Sequence, residues 1–119
     1  MRRPFRILCS LALVALLLGA GCERGSNLPF TVEENDENFV RGRTLEKQGR
    51  DQEALAAFFR VIATRGDNAP ESHLEVGLIY QQHIKDPIAA IYHFNKYLEQ
   101  QPNSRQAKNV RQLIQAVTL

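Results

Sequence analysis

Apolar and polar positions divide the chain into three stretches. From Ile7 to Leu18 the residues form an almost unbroken apolar run, interrupted only by Cys9 and Ser10. From Glu23 to Asn38 the sequence is polar, with Gly25, Ser26, Asn27 and Pro29 followed by the acidic run Glu33, Glu34, Asn35, Asp36 and Glu37. Leu28, Phe30 and Val32 alternate with other residues, but a lone strand there would have nothing to pair with. This stretch therefore predicts a flexible, solvated tether without a binding role. Its acidic end sits well at a helix N-terminus, where Asp36 or Asn35 can cap free amides. Beyond it, apolar residues recur at helical spacing to the end of the chain, which predicts an all-α domain.

Punctuation divides that domain into helices. Gly49 ends the first, and Asp51 is placed to cap the second. Pro70 suits the first turn of the third, and Asp86 with Pro87 forms a cap and first-turn pair for the fourth. Pro102, Asn103 and Ser104 then open a fifth helix. Ala107, Val110, Leu113, Ile114 and Val117 make one apolar stripe on it, with Arg105, Lys108, Arg111 and Gln112 outside.

The helical stretch also repeats. Gly42, Ala54 and Phe58 are answered by Gly77, Ala90 and Phe94 at separations of 35, 36 and 36 residues. A mid-helix Gly costs roughly 1 kcal/mol relative to Ala, so Gly42 and Gly77 mark close helix approach. Ala54 and Ala90 do the same from the facing helix. Phe58 and Phe94 lie four residues further along the same face and fill the space that the small residues leave. The second copy has one more residue between its Gly and its Ala, which predicts a longer turn around Lys85 to Pro87.

In the second copy His73, Val76, Gly77 and Tyr80, then Ala90, Phe94 and Pro102, resemble a tetratricopeptide repeat. The first copy has Asn38, Arg41, Gly42, Leu45, Ala54, Phe58 and Gly66 at the corresponding places, so its first helix departs furthest from the pattern. The resemblance implies a short solenoid of antiparallel helix pairs. Its repeats cover about 37–68 and 69–103, and a helix over 104–118 covers the open end with a polar outer side.

The N-terminus carries a second resemblance. Arg2, Arg3 and Arg6 form a positive n-region, the apolar run is too short to span a bilayer, and Leu18, Gly19, Ala20 and Gly21 lead into Cys22. This resembles a bacterial lipoprotein signal peptide, although Gly19 stands where that family usually has Leu. The resemblance implies removal of residues 1–21, acylation of Cys22, and a tether over 22–36 ahead of a domain over 37–119. Glu23 is not the Asp associated with inner-membrane retention in enteric bacteria, which favours the outer of two membranes. Cys9 leaves with the signal, so no intramolecular disulfide is possible in the mature chain.

Composition sharpens the picture. The whole chain has 15 Lys and Arg against 13 Asp and Glu, but removing Arg2, Arg3 and Arg6 leaves 12 against 13. A near-neutral domain without a basic block is a poor nucleic-acid binder. His73, His83 and His93 are ten residues apart, which does not put them on one helix face, and no second cysteine joins Cys22, so no metal site or cofactor is expected. Ser72 beside His73 is not a nucleophile and base, which need facing side chains and an orienting third group. No enzyme activity and no small-molecule substrate are expected.

The reading that remains is a membrane-tethered interaction module for an envelope protein or peptide. The alternatives are a structural envelope lipoprotein without a dedicated groove and an accessory subunit of an envelope enzyme complex. Counting from each repeat glycine places Phe39, Arg43, Glu46 and Lys47, then Leu74, Leu78, Gln81 and Gln82, on the face where such modules hold ligands. Tetratricopeptide modules that grip a C-terminal carboxylate have Lys and Asn where this chain has Phe39 and Arg43, or Leu74 and Leu78. The pattern therefore favours a helix or extended segment with apolar anchors. Equally, the fifth helix or the tether could cover Leu74 and Leu78. Acylation is directly testable: intact mass of the mature chain should show lipid on Cys22, and Cys22→Ser should release the protein. An unmodified Cys22 on the mature chain would refute the lipoprotein signal.

Overall fold

A capped turn starts the helical domain. In a computed structural model, described here for residues 32–119, the Asp36 side chain accepts the Asn38 N–H at 2.9 Å and opens α1, Glu37–Lys47. The expectations for residues 1–21, for Cys22 and for most of the tether lie outside the described residues. The helices that follow are α2 (Asp51–Arg65), α3 (Pro70–Ile79), α4 (Pro87–Gln100) and α5 (Ala107–Thr118). Among the described residues there is no strand, and no helix is long and apolar enough to cross a membrane.

The two helix pairs end their first helices in the same way, one residue out of step. In the first, Gly49 takes a positive φ of 71°, and Arg50 donates its N–H back to the Leu45 carbonyl at 3.0 Å. In the second, Lys85 takes the left-handed conformation at φ 63°, and Asp86 donates to the Tyr80 carbonyl at 3.0 Å. The extra residue of the second copy does not lengthen the turn as expected. It is absorbed inside the helix as a π-helical turn over Tyr80–Ile84, leaving only Lys85 and Asp86 as the connection. The helix widens because the Tyr80 carbonyl and the left-handed residue keep their roles while a residue is added between them.

Two capping expectations need correction. Asp51 is the first residue of α2 rather than its cap, and its carboxylate instead lies 3.2 Å from His83 Nδ1. Pro102, Asn103 and Ser104 do not open α5, which begins at Ala107. They form a turn held by the Tyr97 hydroxyl on Ser104 Oγ at 2.8 Å and by Arg111, which donates to the Pro102 carbonyl at 3.0 Å. Asp86 does cap α4, accepting the Ala89 N–H at 3.0 Å, and Pro70 occupies the first turn of α3.

The acidic run is not wholly solvated. Glu33–Asn35 form a 3-10 turn, and Glu33 is only 5% exposed. Its carboxylate accepts the N–H groups of Glu71 at 3.0 Å and Ser72 at 2.6 Å. The cause lies in α3, whose N-cap Ala69 has no polar side chain and whose Pro70 has no N–H. A carboxylate from another part of the chain supplies the missing acceptor and meets the positive end of the helix dipole. Residues 33–36, assigned to the tether, therefore pack on the domain.

Each pair closes on a glycine. A Cβ built on Gly42 would lie 2.8 Å from the Phe58 ring, and one on Gly77 would lie 2.6 Å from the Phe94 ring. Ala54, Phe58, Ala90 and Phe94 are fully buried. One core cluster joins α1, α2 and α3 through Phe39, Leu45, Leu55, Phe58, Val61, Val76 and Ile79. A second joins α3, α4 and α5 through Leu74, Phe94, Tyr97 and Val110.

Phe94→Ala should destabilise the domain by roughly 3–5 kcal/mol, comparable with the whole stability of a small domain. Gly77→Ala should also destabilise it, although Ala is the better helix former by about 1 kcal/mol, because the buried Phe94 ring cannot withdraw. Phe94→Leu should partly rescue Gly77→Ala. Thermal unfolding of the three variants checks this, and a Gly77→Ala protein more stable than wild type would refute the interlock.

Candidate functional site

Side-chain links arrange the helices in two layers. Arg43 on α1 pairs with Glu75 on α3, which puts these helices side by side. On the other side the Phe59 ring of α2 lies 5.6 Å from the His93 ring of α4. Helix α5 packs on α4, and its Val110, Leu113 and Ile114 share a cluster with Leu74 and Leu78 of α3.

The expected binding positions separate into core and surface. Phe39 is buried, its ring edge-on to Phe58 at 5.4 Å and 70°. Leu74 is buried and Leu78 half-buried in the α3–α5 cluster. These three are therefore not lining of an open groove: Phe39 is taken into the α1–α3 core, and Leu74 and Leu78 pack with α5. Glu46 is half-buried, while Arg43, Lys47 and Gln82 are exposed. Gln81 is half-buried beside a cleft of about 300 Å³ shared with Lys85, Pro87, Ala116 and Val117, and its Oε1 is buried without a partner among the described residues. What α1 and α3 offer a partner is thus a polar strip in place of an apolar trough.

Glu75 was not anticipated on that strip. It is 8% exposed, and burial raises its carboxyl above the ordinary range, with Glu46 adding to the rise and Arg43 opposing it. Glu71 is raised as well, chiefly by burial and then by repulsion from Glu34, Glu33 and Glu75. A second cleft of about 300 Å³ lies where Val32 meets the domain, lined also by Glu33, Glu34, Asn68, Glu71 and Gln101.

The histidines do come together, but across helices. His73 on α3 and His93 on α4 are buried with their Nδ1 atoms 2.9 Å apart, so one ring donates and the other accepts. Tyr80 stacks on His93 at 5.9 Å and 16°, and Tyr92 meets it edge-on at 5.0 Å. Burial holds His93 down to about 4, helped by its neighbour His73. His73 is lowered by burial and by Lys96, against the weaker pull of Glu99 and Asp67. Sequence spacing could not show the pair, because helical periodicity relates residues on one helix only. Among the described residues no three His, Cys, Asp or Glu side chains are placed to hold a metal.

Comparison with models of known protein families, with curated proteins and with solved structures gives no match.

The histidine pair makes stability depend on pH with a definite sign. Both groups titrate lower when folded, so the unfolded chain binds protons first as pH falls. Stability is retained above pH 6.5 and lost as pH falls from 6.5 towards about 4. Glu71 and Glu75, raised in the folded state, act in the opposite direction when they protonate. The difference between wild type and the double variant His73→Gln with His93→Gln therefore isolates the pair. Urea unfolding of both proteins across this range should show a steeper acid loss in wild type, and parallel profiles would refute the assignment.

Proposed function

We propose that this chain is a non-catalytic protein-interaction module of a bacterial cell envelope, built on tetratricopeptide-type helix pairs and held to a membrane by lipid on Cys22. One observation carries the scaffold part: the same glycine-on-phenylalanine contact occurs twice, Gly42 with Phe58 and Gly77 with Phe94, about 35 residues apart. The membrane part rests on the run from Arg2 to Cys22. Partner contact uses the α1–α3 strip, where Glu46, Lys47 and Gln82 present charge and hydrogen-bonding groups while Arg43 is paired with Glu75. Such a surface contributes orientation and encounter rate more than raw affinity.

A second reading, a structural lipoprotein without a dedicated groove, is favoured by one specific observation. Helix α5 covers Leu74 and Leu78, the apolar anchors that a peptide groove would use. The two readings differ in an experiment on intact cells. A photo-crosslinking residue at Lys47 or Gln82 should capture one defined envelope protein, and the same residue at Lys108 on α5 should not. The double reversal Glu46→Lys with Lys47→Glu should leave thermal unfolding unchanged and abolish capture. No capture at Lys47 or Gln82 would favour the structural reading, and equal capture at Lys108 would move the interface off the strip.

A further inference from the structure

The layer formed by α2 and α4 leaves large apolar side chains partly in solvent. Ile88 is 81% exposed, Tyr92 56% and Phe59 38%. Ile88, Tyr92 and Lys96 follow one another at four-residue spacing along α4, so they lie on one helix face. Phe59 continues that face onto α2, because its ring and the Tyr92 ring flank the same His93 ring. Ala56 and Ala63, both exposed, stand three residues before and four after Phe59 on its side of α2. At the borders are Arg60, Lys85 and Lys96, with Lys96 bonded to Glu99 at 2.8 Å and its Nζ 5.9 Å over the Tyr92 ring.

We propose that this face rests on the lipid bilayer, with Ile88, Tyr92 and Phe59 entering the headgroup boundary. The inference rests on the acyl anchor of the proposed function. Given that anchor, chain length decides the occupant. Only nine residues, 23–31, separate Cys22 from Val32, and fully extended they reach about 30 Å. The point of entry is fixed, because Glu33 is bonded to the first turn of α3. Val32 and Gln101, just past the end of α4, line the same cleft. Tyr92 lies nine residues back along that helix, about 14 Å from this end. The apolar face is therefore closer to the entry point than the tether is long, and it lies within reach of the membrane when the anchor is inserted. An amphipathic tyrosine and an exposed isoleucine with lysine at the rim suit the headgroup boundary, where Lys96 and Lys85 can reach phosphates. The α1–α3 strip, in the opposite layer, then faces away from the membrane.

The chain has no tryptophan, so a single Trp reports on its own surroundings. Ile88→Trp and, as a control on α5, Asn109→Trp are placed in the full chain, and the protein recovered from membranes is reconstituted into vesicles of phosphatidylcholine and phosphatidylglycerol. Intact mass scores acylation separately. A chain without acyl groups, carrying Cys9→Ser, is coupled through Cys22 to a maleimide lipid, so the surface is tested whichever way the anchor reading falls. Trp at 88 should shift to the blue and be quenched several-fold more by acyl-brominated lipid than Trp at 109. Tyr92→Glu in the Ile88→Trp protein should remove both effects while circular dichroism stays helical. Equal quenching at 88 and 109 would overturn the proposal, as would an unquenched Trp at 88. A blue shift that appears without vesicles and grows with protein concentration would overturn it too, by showing that a second copy occupies the face.

Discussion

Helix separation in each pair is set by a missing side chain. At Gly42 and Gly77 the facing phenylalanine ring lies where a Cβ would stand, so the backbones approach more closely than any other residue would allow. The consequences run outward from these two contacts. Phe58 anchors the cluster that draws α3 onto α2, and Phe94 anchors the cluster that draws α5 onto α4. With each ring locked by a glycine on one side, the second helix of a pair has one favourable rotation, which aims Phe59 and Tyr92 outwards and Tyr97 towards Ser104. The close approach offsets the helix-forming penalty of glycine because two fully buried rings give up water on every side.

Connections between the pairs follow a different logic, that of unsatisfied backbone. Residues Ala69 and Pro70 leave the start of α3 without a local acceptor, and two distant side chains meet that need. Gln100 accepts the Ala69 N–H at 3.0 Å, and Glu33 accepts the next two free N–H groups. Both are long-range bonds, so the junction of the two pairs is tied at once to the end of α4 and to the segment before α1. A helix start of this kind holds the chain entry and the C-terminal end of α4 in one place.

Features carried by one helix or by the repeat period were legible in the sequence, and contacts between positions that neither relates were not. Gly42, Gly77, Phe58 and Phe94 could be found because the same residue types return after 35 or 36 positions. Asp86 and Pro87 were legible because capping is local. The π turn was missed because an added residue between Gly77 and Ala90 looks the same in sequence whether it lies in a loop or in a helix. Burial of Glu33, the contact of His73 with His93 and the pairing of Arg43 with Glu75 all bring together residues 20 or more positions apart. Periodicity carries no information about such pairs. The same blindness explains Phe39 and Leu74, which a count from the repeat glycine places on the helix face assigned to ligands but which the neighbouring helix covers.

Covering that face changes what kind of recognition the domain can support. Helix α5 follows after the second pair, and its Val110, Leu113 and Ile114 pack with the apolar Leu74 and Leu78 of α3. What remains on α1 and α3 is a strip whose buried member, Glu75, is raised by burial and drawn back down by its ion pair with Arg43. Removing Arg43 leaves a desolvated carboxylate, so the guanidinium is committed to the fold before any partner arrives. A partner that bonded to Arg43 would compete with Glu75 and leave that carboxylate uncompensated. Electrostatic contact on this strip therefore falls to groups that the fold does not need, Lys47 and the outer part of Glu46, with Gln82 beside them. In the proposed function, recognition by so few exposed groups is weak for each encounter, and the proposed anchor at Cys22 would offset this by raising the local concentration of both partners.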